Sequence, residues 1–180
     1  MQPAPLDFEI QIREATCADL PLLLNFIRAM AAFEKLPVSV TEETLQESLF
    51  GDRPAAFSLL AFSAGQPVAY AVYFFSFSTM LGKRCMWLDD VFVDANFRGK
   101  GVGKAMMAYL ADIALANHCG RFEWMVLDWN LPAVGLYKQL GASIYEDWHL
   151  CRLDAEGLLR VAQQGSPLLR RANMIPKKDG

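Results

Sequence analysis

Apolar and polar positions along this chain follow two alternating periods, near two residues and near 3.6, and the switches between them predict a mixed fold. Phe8, Ile10 and Ile12 alternate with polar residues and predict a first strand. Thr16 and Asp19 then offer capping oxygens to an apolar run from Leu20 through Ala32, read as a helix. Thr41-Glu-Glu-Thr44 caps a second helix carrying Leu45, Leu49 and Phe50, and Gly51-Asp-Arg-Pro54 stops it, because proline cannot continue the backbone ladder. Residues 57–63 read as a strand, joined by the turn residues Ala64-Gly65-Gln66-Pro67 to the Val-, Tyr- and Phe-rich run 68–77 as a hairpin.

Residues 86–93 predict a third long strand, interrupted by Asp89 and Asp90, two adjacent acids that an ordinary buried strand avoids. Val102, Met106, Leu110, Ile113 and Ala114 recur at helical spacing, with Gly120 expected to close that helix. Phe122 to Leu127 reads as a strand, and Asn130-Leu-Pro132 opens a helix that runs through Leu136 and Tyr137 to Leu140-Gly141. Segments 142–145 and 148–153 predict a final pair of strands, followed by a helix over 154–163. From Gly165, with Pro167, Pro176 and the basic pairs Arg170-Arg171 and Lys177-Lys178, no periodicity remains. The expected organisation is one domain over residues 1–164 and a loose extension over 165–180.

Composition narrows the class. A chain of 180 residues has the length of one domain, and 53% hydrophobic against 21% charged residues excludes general disorder. Lys+Arg 17 against Asp+Glu 20 gives a net charge of −3, so no electrostatic footprint points to nucleic acid. Cys17, Cys85, Cys119 and Cys151 lie far apart, and only His118 and His149 could supplement them, so no metal site is expected. The thiols are expected to be buried and reduced, as in a cytoplasmic protein. Residues 1–9 carry no basic stretch followed by an apolar one, and no window approaches the roughly 18 apolar residues of a membrane span. A soluble, intracellular protein is expected.

The chemistry-bearing motif is Arg98-Gly99-Lys100-Gly101-Val102-Gly103-Lys104, between a predicted strand and a predicted helix. Its backbone N–H groups and the positive end of the helix form an anion cradle, which glycines let a phosphate approach closely. A plain helix-starting turn is the alternative, although three glycines with three bases exceed what capping needs. A mononucleotide P-loop is excluded, since Lys104 is followed by Ala105 and the earlier glycine is missing. A dinucleotide fingerprint fails too, because its third glycine would fall at Met106.

The remaining pattern, R-G-x-G-x-G, resembles the pyrophosphate loop of the GNAT acetyltransferases, whose co-substrate is acetyl-CoA. The blocks Trp87-Leu-Asp-Asp-Val-Phe-Val93 and Asp128-Trp-Asn-Leu-Pro-Ala-Val-Gly-Leu-Tyr-Lys-Gln-Leu-Gly-Ala142 are similar to those of the diamine (spermidine/spermine) and thialysine N-acetyltransferase branch, over roughly residues 8–160. The resemblance implies an α/β fold with a twisted, mostly antiparallel sheet flanked by helices, no metal, and a homodimer to which the final strands and helix contribute. Asp89 stands where that branch has glutamate, one methylene longer. Thr79 and Leu81 stand where polyamine-type members have aspartate and tryptophan, and Ser78-Thr79 resembles thialysine-type members, which take small amines.

Acetyl transfer from a thioester to an amine needs an uncharged nucleophile, a held electrophile and a proton for the departing thiolate. An alkylammonium, with a reference pKa of about 10.4, must first lose a proton, and Asp89 is the candidate acceptor, directly or through water, or else a holder of the cation. In a regular strand Asp89 and Asp90 point to opposite faces, so without a bulge only one faces a given pocket; Asp89 is the expected one. The resemblance implies Tyr137 as general acid, Asn130 as a cofactor contact besides its capping role, and Phe33 and Glu34 as amine contacts. It places the backbone of Val91, Phe92 and Val93 and the turn Arg98, Gly99, Lys100, Gly101, Val102, Gly103 and Lys104 on the cofactor. No cysteine is placed to carry the acetyl group, so direct attack in a ternary complex is expected. A protein or peptide acetyltransferase of the same fold and a CoA-binding regulatory module without turnover stay open as alternatives.

Overall fold

The structure, a computed structural model, describes residues 9–164. Phe8 and the tail from Gly165 lie outside the described residues. The described residues fall into two compact units, one ending at Gln139 and one beginning at Leu140. In the first, the strands are β1 (Ile10–Glu14), β2 (Phe57–Ser63), β3 (Gln66–Ser78), β4 (Lys83–Val93) and β5 (Phe122–Trp124). Its helices are α1 (Leu20–Glu34), α2 (Glu42–Phe50), α3 (Val102–Ala116) and α4 (Leu131–Gln139).

The strands pair in chain order into one sheet, antiparallel from β1 to β4, with β5 added parallel to β4. Leu59, Leu60 and Ala61 are consecutive and all fully buried, so both faces of the sheet are covered. On one face Leu60, Tyr70 and Phe92 meet Leu20, Leu23, Leu24 and Phe26 of α1 and Leu45 and Leu49 of α2. On the other, α3 packs against β1, β3 and β4 and buries Met106, Met107 and Leu110. Each of these large side chains contributes about 1.5–3 kcal/mol through burial. The α/β class and the mostly antiparallel sheet read from the sequence are those observed.

Helix ends follow local chemistry. Thr41 caps α2 by exchanging hydrogen bonds with Thr44. Asp19 instead accepts from the backbone and hydroxyl of Thr16 and from both terminal nitrogens of Arg13, at 2.7 and 2.8 Å, and is held well below the usual carboxylate range by them. It thereby ties β1 to the short 3-10 turn, Cys17–Asp19, that leads into α1.

Three expectations change. Gly120 does not close α3; the left-handed residue is His118, at φ 55°, with the Cys119 amide reaching back to the Ala114 carbonyl. Gly120 is needed for space, since a Cβ there would lie 3.1 Å from Lys83. Segments 142–145 and 148–153 are not strands: their alternating apolar residues, among them Ile144, Tyr145, Trp148 and Leu150, are exposed, and no strand pairs with them. The second unit has one described helix, α5 (Ala155–Gln164). Of the cysteines, all free, only Cys85 is buried, while Cys17 and Cys151 are exposed.

A left-handed histidine carries strain that glycine avoids. His118→Gly is therefore expected to stabilise the protein by about 0.5–1 kcal/mol, read as a higher denaturation midpoint with an unchanged slope in urea.

Candidate active site

The site begins with an irregularity in β4. The β3–β4 register runs Val72↔Asp90 and then Tyr73↔Leu88, so Asp89 is an extra residue, a β-bulge. The bulge resets the alternation and lets both acids escape the α3 side, where Leu88 is buried. It also coincides with the end of sheet pairing: β5 meets β4 at Met86, Trp87 and Leu88, and beyond Asp89 no strand among the described residues pairs on the β5 side of β4.

Asp90, not Asp89, is the enclosed acid. Asp89 is exposed, whereas Asp90 is partly buried on the α1 side, where the Tyr70 hydroxyl donates to its Oδ2 at 3.1 Å. Burial, then the Asp89 charge and that of Glu34, push the Asp90 carboxyl up to about 6, while the Tyr70 hydrogen bond opposes them. Glu34, in the last turn of α1, is also pushed up by burial. Just beyond it Lys35, left-handed at φ 58°, ends the helix. Phe33, Glu34, Lys35 and Trp129 line a cavity of about 170 Å³, with the Phe33 and Trp129 rings 5.6 Å apart.

Tyr137, buried in α4, sits edge-on to Trp124 at 5.0 Å. Burial and then the nearby Glu34 charge raise its phenol, which stays protonated near neutral pH. Asn130 opens α4, its side chain accepting from the Ala133 amide and its carbonyl from Val134.

The glycine turn lies between β4 and α3, as the sequence predicts. Gly99 and Gly101 adopt φ 73° and 87°, which a side chain would strain. Gly103 serves packing: a Cβ there would lie 3.3 Å from Leu136 and 3.8 Å from Val93, so its absence brings α3 against α4 and the end of β4. Among the described residues, the consecutive backbone N–H groups of 99–104 have no acceptor. Such a run at a helix N-terminus fits a phosphate. Val102 and Phe92 bury their side chains, leaving only backbone to offer.

Arg98, expected on the cofactor, also makes contacts within the protein. Its Nε donates to the Val93 carbonyl at 3.0 Å, and its guanidinium lies over Phe33 at 4.3 Å and Phe92 at 5.2 Å, tying the turn to the end of α1 and to β4. Lys100 lies over Phe97, and Lys104 is exposed. Thr79 and Leu81 are not brought to the site; they follow Ser78, six residues along β3 from the partner of Asp90, roughly 20 Å away. Tyr70, Asp90 and Trp129 were missed. Trp129 stands inside the block that carries the resemblance, but Tyr70 reads in sequence as core.

A match to the acetyltransferase (GNAT) family covers residues 25–142. The chain belongs to the GNAT acetyltransferase family. A thialysine N-epsilon-acetyltransferase of Sus scrofa is 37% identical over 85% of this chain and 97% of that protein. An L-ornithine N5-acetyltransferase of Arabidopsis thaliana is 28% identical over 84% and 87%. Among solved structures, an integron cassette protein from the mobile metagenome of V. cholerae superposes with a TM-score of 0.70 at 26% identity, over 86% of this chain and 98% of that one. This GNAT chain is thus an acetyl-transferring enzyme of a family that uses acetyl-CoA. No helix among the described residues is long and apolar enough to cross a membrane, and no group of metal-ligating side chains occurs among them.

The raised Asp90 carboxyl makes its ionisation costly to the fold. Relative to an ordinary aspartate at 3.8, stability is retained below about pH 4 and lost as pH rises through about 6, on the order of 3 kcal/mol at neutral pH. Asp90→Asn, which keeps an acceptor for Tyr70, is expected to raise the thermal midpoint by several degrees at pH 7.5 and hardly at pH 4.

Proposed function

We propose that the protein transfers the acetyl group of acetyl-CoA to a primary amine of a small molecule, a diamine or a basic amino acid with a side-chain amine. The observation that carries this reading is the juxtaposition, at one end of β4, of a backbone anion cradle and a cluster of three carboxyl groups. One binds a diphosphate, the other a cation. The relatives named for thialysine and ornithine act on small amines of this kind. The small cavity beside Glu34 and the distance of Thr79 from it favour a short substrate over a long polyamine.

Acetyl-CoA supplies an acetyl group activated as a thioester and a thiol as leaving group. The amides of Gly99, Lys100, Gly101, Val102, Gly103 and Lys104 hold the diphosphate, and the side of Val91, Phe92 and Val93 that β5 does not cover, where Arg98 already meets the Val93 carbonyl, offers its remaining backbone groups for orientation. Asn130 has side-chain N–H groups to spare for the same task. Phe33 and Glu34 border the amine, and Asp90 shares the charge that holds it. Asp89, exposed at the bulge, accepts its proton directly or through water. Tyr137, protonated in its buried position, gives a proton to the departing thiolate. Attack is direct, in a ternary complex. Residues 1–164 act as one catalytic domain of a cytoplasmic homodimer, a reading that fits the exposed apolar side chains of 144–161.

A thiol-release assay with acetyl-CoA and a panel of amines tests this. Turnover is expected with short diamines, thialysine and ornithine; turnover of peptides alone, or CoA binding without thiol release, contradicts it. Tyr137→Phe is expected to lower kcat about 100-fold with KM for the amine nearly unchanged. Gly101→Ala, strained at φ 87°, is expected to weaken CoA binding at least about tenfold by calorimetry.

A further inference from the structure

The most enclosed polar group near the site belongs to a residue with no part in the reading above. Tyr70 of β3 is fully buried, stacked on Phe26 at 5.6 Å, yet its hydroxyl emerges beside two acceptors. Asp90 Oδ2 lies at 3.1 Å and Met30 Sδ at 3.3 Å. A phenol has one proton to donate, and a carboxylate accepts it far better than a thioether. The ring cannot swing away, because it is packed into the α1–α2 core.

We propose that Tyr70 is a positioning residue for the amine site: its phenol fixes the Asp90 carboxylate on the α1 side of β4, toward Glu34, where the charge meets the incoming ammonium. This inference rests on the small-amine reading. The groups facing Asp90 are Tyr70 from β3, Glu34 from α1 and Asp89 from β4 itself, and Tyr137 of α4 lies near Glu34. Among the described residues no Lys, Arg or His forms an ion pair with Asp90. Tyr70 is thus the neutral donor that offsets like charge without neutralising it. A cation in place of the phenol would satisfy Asp90 internally and compete with the substrate; a phenylalanine would leave the carboxyl without its donor. Burial and the surrounding carboxylates keep the Tyr70 phenol protonated throughout the working range, so it always donates.

The test pairs Tyr70→Phe with Asp90→Asn, using carboxyl-carbon NMR titration of Asp90 and steady-state kinetics with ornithine. Tyr70→Phe is expected to move the Asp90 midpoint to higher pH and to raise KM for the amine roughly tenfold with kcat within about twofold. In the Asp90→Asn background the same substitution is expected to add little to the KM change. An unmoved midpoint, or an equal loss in both backgrounds, overturns the proposal, since a purely structural tyrosine would act regardless of its partner. The midpoint is read without turnover. A wild-type protein that acetylates no amine while the midpoint still shifts would overturn the amine reading and leave the Tyr70–Asp90 coupling standing.

Discussion

One inserted residue in β4 organises this molecule. At Met86–Leu88 the strand is paired on both sides, by β3 and by β5; after Asp89, among the described residues, β3 alone remains. A regular strand would have sent one of the two aspartates into the α3-packed face, where an unpaired buried carboxylate is expensive. The bulge removes that cost and opens one side of Val91–Val93. The carboxyl cluster and the free strand side therefore share one cause, and the glycine turn follows directly from the freed end.

The charges gathered there work against the fold. Glu34 and Asp90 are both pushed up by burial, and in the case of Asp90 also by the neighbouring acids. Fold stability alone would replace at least one of them. Such a cluster suits a site whose missing countercharge arrives with a ligand, since an ammonium relieves the repulsion that the protein leaves in place. Phe33 and Trp129 line the cavity beside Glu34, Phe92 packs on Phe33, and Arg98 spans from the Phe33 and Phe92 rings to the Val93 carbonyl. The aromatic groups beside Glu34 and the glycine turn are in this way mechanically connected by one side chain.

Most elements were legible because their signals are local: the caps of α2 and α4, the Gly65 hairpin turn and the helical spacing of α3 all act within a few residues. The glycine turn was legible for the same reason, although Gly103 proves to serve packing against Leu136. What failed depended on partners. Residues 142–153 carry a strand-like pattern without a strand to pair with, and Phe122–Leu127 shortens to Phe122–Trp124 because β4 is paired only as far as Leu88. The choice between Asp89 and Asp90 turned on a bulge that alternation cannot reveal, and Tyr70 lies twenty residues from the carboxylate it serves.

The first N–H groups of a helix have no partner within it, and among the described residues the run over 99–104, much of it open to solvent, meets no protein acceptor. In the proposed complex, the diphosphate of coenzyme A supplies one. The most direct measurement is amide nitrogen–proton NMR of the labelled protein during titration with CoA. Saturable shifts concentrated on Gly99–Lys104, with a second group at Val91–Val93, are the predicted result. Saturation with those amides unmoved, or no saturable response at all, would contradict the account.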